Sequence, residues 1–281
     1  QPDPPAGWGI FELNGDALGE LTAPQVGKLI PSYQPADSQP EMFGCGVLPD
    51  GRVVTTDVGN QASGPGTGQL LVWFPPIEDV HERFCVVDAT ITTAQQIAID
   101  GDDVLVASAR PPSVGIRRYT DLPTSIDQCE GSDVNGALVD EGRPAPELFI
   151  DPSAGGVGIS NGNVGTGGGG WYVSSVLTGV IAEFDGAGEF VRTILAPPDG
   201  EALGPEPFTT GTPNGLAVDV DGNLWYADLG LVISDRGIGP GPGTGTVRII
   251  RFVDGEPLPP ETIDDDLRFP DALGVLPGGT R

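Results

Sequence analysis

Five short hairpins along this chain begin at residues whose types and spacing suit a hard cation. Their first positions are Phe43, Gln95, Asn161, Asn214 and Asp271. Four of the five are polar, in strands otherwise built of apolar residues and glycine. Carboxylate and amide oxygens brought to one place are ligands for Ca2+ or Mg2+ rather than for zinc or copper. The competing reading is that these side chains bond to backbone or hold water, and Asn before Gly is a turn signal in its own right. The single histidine, His81, rules out a mechanism or metal centre that needs two imidazoles.

The elements that must position these residues form a repeat. The clearest unit runs from Pro213-Asn214-Gly215 through Asp221-Gly222-Asn223 to Trp225 and Asp228, a strand, a tight Asp-Gly turn and a second strand. Phe43 leads through Asp50-Gly51 to Asp57, and Gln95 leads through Asp100-Gly101 to Ser108. Asn161-Gly162 leads through a glycine turn to Trp171–Ser175, and Asp271 starts the hairpin again shortly before the sequence stops at Arg281. The starts lie 52 to 66 residues apart, the length of a four-stranded blade with loops. A third strand follows each of the first four hairpins, at Leu70–Phe74, Gly115–Tyr119, Val180–Phe184 and Val247–Phe252.

Residues 8–23 repeat the third-and-fourth-strand pattern, with Glu12-Leu13-Asn14-Gly15 close to Glu183-Phe184-Asp185-Gly186. The pattern predicts an all-β fold over residues 1–281: one propeller of four-stranded blades, five repeats visible and five or six blades, its N-terminal strands closing the ring. Gly59–Gln69 and Leu229–Thr246 read as long flexible loops on the face of the channel mouth, either a rim or plain insertion-tolerant loops.

Composition narrows the partners. With 13 Lys+Arg against 40 Asp+Glu, a net charge of −27, the chain lacks the basic surface that nucleic acid or an anionic membrane requires. Its 44 Gly and 29 Pro reach a level usually read as disorder. A 38% hydrophobic share in recurring short runs instead fits strands joined by turns. No apolar run approaches the 18 residues of a membrane span, so no membrane insertion is expected. The chain opens on Gln1 without an apolar leader, which reads as a processed product, with export the preferred reason and trimming the alternative. An acidic surface whose only lysine is Lys28 adds to an expected extracellular or periplasmic location. Cys45 lies in a first strand and reads as a small core residue. Cys85 opens an outer strand and Cys129 falls in the equivalent loop of the next blade, so a Cys85–Cys129 disulfide is geometrically available.

Pro213-Asn214-Gly215-Leu216 followed by Asp221-Gly222-Asn223-Leu224-Trp225 resembles the hairpin of the SMP-30/gluconolactonase-like and NHL-repeat propellers. At the level of repeats the resemblance spans most of the chain, through short motifs that several propeller families share. The first group implies a divalent cation, Ca2+ before others, held at the channel mouth by a Glu, two Asn and an Asp. The Asp doubles as general base in hydrolysis of a small lactone or ester. Asn161, Asn214 and Asp271 match the two Asn and the Asp. The Glu position carries Phe43, and the nearest acid is Glu41, about 6.6 Å further along an extended strand. On this reading Gln95, Asp57 and Asp228 are candidates for contacting substrate hydroxyls, although both Asp are also explained as strand-end residues that bond the next loop. The alternatives are a non-catalytic NHL-like propeller that binds a protein or glycan, and a structural subunit of an extracellular assembly.

Other motifs carry less. Gly158-Ile-Ser160-Asn-Gly162 has the nucleophile-elbow spacing but opens a hairpin rather than a strand-turn-helix. Gly165-Thr-Gly167-Gly-Gly-Gly170 runs into a strand, leaving no helix N-terminus for phosphate. Asp219-Val-Asp221-Gly222-Asn223 is too short for an EF-hand loop and reads as a turn. His81 and the run Asp264-Asp265-Asp266 read as solvated loop residues.

Overall fold

The computed structural model describes residues 7–11, 17–22, 42–58, 68–76, 83–110, 114–129, 137–138, 144–159, 162–166 and 169–274. Among them there is no α-helix, only the short 3-10 turns Ile126–Gln128 and Ala154–Gly156. The chain divides into two compact units, residues 1–113 with 117–147, and residues 114–116 with 148–281.

Four sheets follow one another, each laid down strand by strand in chain order. The first is built from Met42–Val47, Val53–Asp57, Gly68–Trp73 and Phe84–Ile91, with Ala137–Leu138 added in parallel at its edge. The second has Ala94–Asp100, Asp103–Ser108, Gly115–Tyr119 and Glu147–Ile150. Gly162–Thr166, Gly170–Ser175, Val180–Asp185 and Phe190–Leu195 make the third. Pro213–Val218, Leu224–Asp228, Gly245–Ile250 and Glu261–Leu267 make the fourth. Such four-stranded antiparallel meanders are the blades of a β-propeller, the architecture that the repeat predicts. Gly7–Phe11 pairs with Ala17–Thr22 where two N-terminal strands are expected. The described start of the fifth repeat, Asp271–Gly274, carries no strand.

The tight turns follow from sequence. Gly51 and Gly222 sit at φ +87° and +82°, a region that costs glycine nothing and other residues a steric clash. Apolar residues on the facing sides of consecutive sheets then supply the core. In the first unit Val54, Leu70 and Val72 pack with Ile97, Val104 and Val106. In the second, Tyr172 and Ile181 pack with Leu216, Leu224, Tyr226 and Ile250.

Three of the four first hairpins share a defect that composition does not reveal. Phe43-Gly44 lie opposite a single residue, as do Gln95-Gln96 and Asn214-Gly215. Such a bulge re-aims the side chains at that point of the strand, and it falls on the aligned polar positions. In the third sheet the pairing is regular, with Gly162 opposite Ser175. At the bulge the next repeat comes close. A methyl on Gly44 would stand 2.6 Å from the Gln95 carbonyl oxygen, and one on Gly215 would stand 2.6 Å from Ala272 Cα. Hydroxyls stitch the same level: Thr56 Oγ1 donates to Gln95 O at 2.6 Å and Ser174 Oγ donates to Asn214 O at 2.9 Å.

Three local expectations are corrected. Leu229–Thr246 is not a plain loop, because Leu231–Ser234 and Gly237–Pro240 pair within it as a hairpin. Asp264-Asp265-Asp266 lie in an outer strand rather than a loop, solvated as expected. Cys45 is exposed rather than core. Gly162–Thr166 and Gly170–Ser175 pair as one hairpin, so the glycine pattern between them runs into a strand as expected. Cys85 and Cys129 are joined by a disulfide with a Cα–Cα distance of 6.2 Å.

Candidate functional site

The second unit brings two of the expected ligands into contact. Asn214 sits in the bulge that opens the fourth sheet and is 2% exposed. Its Nδ2 donates to Asp271 O at 2.9 Å and to Asp271 Oδ1 at 2.5 Å. The Gly215 amide donates to the same Asp271 carbonyl at 3.1 Å. Asp271 is therefore held by its backbone and by its side chain. Because Asn214 spends its amide NH2 on Asp271, the pair offers oxygens, one from an amide and the others from a carboxylate. These are donors of the type a hard divalent cation takes. Among the described residues no group of three His, Cys, Asp or Glu converges. Asn161, Glu41 and His81 lie outside the described residues.

In the first unit, Gln95 occupies the bulge equivalent to that of Asn214 and is 6% exposed. Its Oε1 has no hydrogen-bond partner among the described residues. Asp57 ends the second strand, almost wholly buried, directly across from Gln69. Gln69 was not singled out by type or spacing; its amide is fully buried and neither polar atom has a partner among the described residues. Only the register of the sheet finds it, because it stands where Thr246 stands in the fourth sheet, opposite the strand-end Asp.

Asp228, the counterpart of Asp57, is consumed by the fold. Oδ1 accepts from the Thr212 amide at 2.7 Å, the Thr212 hydroxyl at 3.2 Å and the Gly230 amide at 2.9 Å. Oδ2 accepts from Thr246 Oγ1 at 3.0 Å and pairs with Arg248 Nη2 at 2.9 Å. With no exposed surface, this carboxylate anchors the loops on either side of its strand, and the substrate-contact reading of Asp228 gives way to the loop-bonding one. The first sheet has Leu71 where the fourth has Arg248, so the two strand-end aspartates have different surroundings.

The Asp219 turn is also structural. Its carboxylate accepts from the Asp221 and Asn223 amides at 3.0 and 2.9 Å and from Trp225 Nε1 at 2.8 Å. Partial burial pushes the Asp219 pKa up, but these hydrogen bonds outweigh it and hold the group below the ordinary carboxylate value.

No family model matches the chain, and no curated protein matches it. Solved structures do. A luciferin-regenerating enzyme aligns over 95% of this chain and 75% of its own at 10% identity, with a TM-score of 0.54. A chain in a nidogen/laminin complex aligns over 83% of this chain and 68% of its own at 14% identity, with a TM-score of 0.51. A regucalcin of Agrobacterium tumefaciens, a calcium-binding protein, aligns over 83% of this chain and 65% of its own at 13% identity, with a TM-score of 0.45. Likeness at such identities is likeness of fold, and the fold is the β-propeller. No helix among the described residues is long and apolar enough to cross a membrane.

Proposed function

We propose that this propeller acts outside the cytoplasm as a hydrolase of a small lactone or ester, dependent on a divalent cation, Ca2+ before others. The observation that carries the reading is the Asn214–Asp271 contact at the head of the fourth sheet. Asn214 and Asp271 would hold the cation, with Asn161 the third donor that the repeat suggests. A cation bound there supplies Lewis acidity toward an ester carbonyl. Asp271 takes the proton of the attacking water, and Asn214 fixes the rotamer in which it does so. The similarity in fold to a luciferin-regenerating enzyme is compatible with an enzymatic role and does not choose the substrate.

Asp271→Asn tests this directly. The substituted amide oxygen still accepts from Asn214, so the fold survives, while the general base is gone. Hydrolysis across a panel of lactones should fall by about 100-fold or more, with an unchanged melting curve in metal-free buffer. In the unsubstituted protein, stripping metal and restoring Ca2+ to a hundred times its Kd should raise stability by about 2.7 kcal/mol. Absence of lactone hydrolysis in the unsubstituted protein, or unchanged turnover in the variant, removes the assignment.

A second reading, a binding propeller for a protein or glycan, is favoured by the hairpin within 229–246. It raises Ile233 and Ile238 as a cross-strand pair, 45% and 54% exposed. Leu229 and Leu231 at its base are buried, so deleting the whole segment would damage the core. Changing both isoleucines to serine tests the tip alone. On this reading, capture of a partner by the propeller weakens at least tenfold and the melting temperature stays within about 1 °C, as expected of exposed positions. Unchanged capture by the variant would set the hairpin aside.

A further inference from the structure

Beneath the same hairpin lies a cleft of about 970 Å³ within the second unit. Val232, Pro240 and Pro242 give it an apolar wall, and Arg236 and Arg268 reach it from the hairpin turn and from beyond the last strand of the fourth sheet. These arginines are unusual for this chain. Acids outnumber bases 40 to 13, and Arg52, Arg118, Arg192, Arg248 and Arg251 are each ion-paired. Arg83, Arg110 and Arg117 have interactions of their own. Neither the Arg236 nor the Arg268 guanidinium has a partner among the described residues, although Asp235 and Asp266 line the same cleft.

Local structure turns one of these carboxylates away and fixes the backbone that carries Arg236. Asp266 is held at φ +57° with its carboxylate turned toward Gly243. The Arg236 amide donates to Ser234 Oγ at 3.2 Å, which fixes the hairpin turn. The hairpin itself is tied down: the Ile233 amide donates to Gly204 O at 2.6 Å, and the Leu231 amide to Thr212 Oγ1 at 3.0 Å. Two guanidiniums thus stand on a fixed frame around a concavity of small-molecule size. A guanidinium presents paired N–H donors that match a carboxylate or phosphate. In a chain of net charge −27 the long-range field repels anions, so selecting one requires cations at close range.

We propose that this cleft is a binding site for a small organic anion, recognised through a carboxylate or phosphate group by Arg236 and Arg268. Its lining includes neither Asn214 nor Asp271. Isothermal titration of metal-free protein with succinate and with inorganic phosphate, in low-salt chloride buffer, tests the proposal, with glucose as the uncharged control. At least one anion should give saturable one-site heat, and glucose none. Arg236→Gln and Arg268→Gln should each weaken binding about tenfold or more, and the double variant should show no saturation. Both side chains are exposed, so melting curves should not move. Binding of succinate alone assigns a carboxylate ligand and binding of phosphate alone a phosphorylated one; either upholds the site. No saturable heat with either anion, or equal affinity in the double variant, overturns it. Asp271→Asn should bind as the unsubstituted protein does; loss of binding there would move the anion to the other site and equally overturn the proposal.

Discussion

Replacing Asp228 by alanine should lower the stability of the second unit by about 3–5 kcal/mol, a fall in melting temperature on the order of 10 °C. The carboxylate is wholly buried and accepts from five groups on four residues. Removing it leaves the Arg248 guanidinium, largely buried itself, without its counter-charge, and strips the Thr212 and Gly230 amides of their acceptor. Arg248 retains Thr209 O at 2.8 Å and Thr246 Oγ1 at 2.8 Å, so it loses charge compensation rather than every contact. Asp228→Asn divides the effect. Its amide oxygen can still serve Thr212 and Gly230, while its NH2 faces Arg248 with no charge to offer, so the loss should be about half that of alanine. A double-mutant cycle with Arg248→Leu isolates the ion pair. If Asp228→Ala melts like the parent, the anchoring role is wrong and the carboxylate is free for a ligand.

That role shows how far the sequence could be read. Asp228 and Asp57 look identical as strand-end residues, and both were candidates for a substrate. What separates them is the residue two places on in the third strand, Arg248 in one sheet and Leu71 in the other, and that pairing exists only once the register is known. The blades themselves were legible because a propeller repeats. Asp-Gly turns at 50–51 and 221–222 join strands whose apolar residues mark them in the sequence. The bulges at Phe43-Gly44, Gln95-Gln96 and Asn214-Gly215 were not legible, since one extra residue leaves no mark on composition. The hairpin at 231–240 was hidden for a different reason. Its glycines and prolines read as loop, and the Ile233–Ile238 pair that holds it extended is too short to show a period. Of the candidate site, sequence found the pair that touches, Asn214 and Asp271. It missed Gln69, Arg236 and Arg268, whose surroundings are set by residues distant in the chain.

Removing the Cys85–Cys129 disulfide should have the second large effect, in the first unit. The bond closes 44 residues, and loop-closure entropy for that length corresponds to about 4 kcal/mol. It is one of three fastenings on a single strap. As the chain leaves the second sheet, Leu122 and Pro123 offer their carbonyls to Arg52 Nη1 at 3.1 and 2.7 Å. Arg52 is 4% exposed and is held by Asp50 at 2.6 Å. Cys129 then bonds to Cys85, and Ala137–Leu138 pairs in parallel with Cys85-Val86 as a fifth strand on the outer edge of the first sheet. Pairing at Cys85-Val86 covers the start of that edge, where unpaired backbone groups would otherwise template association. Changing both cysteines to serine should therefore do two things. The melting temperature should fall by about 8–16 °C, and amide exchange should accelerate first along the strand Phe84–Ile91. Arg52→Leu should accelerate exchange in the same strand while leaving the disulfide intact, because it frees the strap at its other end. If the serine variant melts within 2 °C of the parent, the strap is held by Arg52 and strand pairing alone, and the cross-link adds nothing to the first unit.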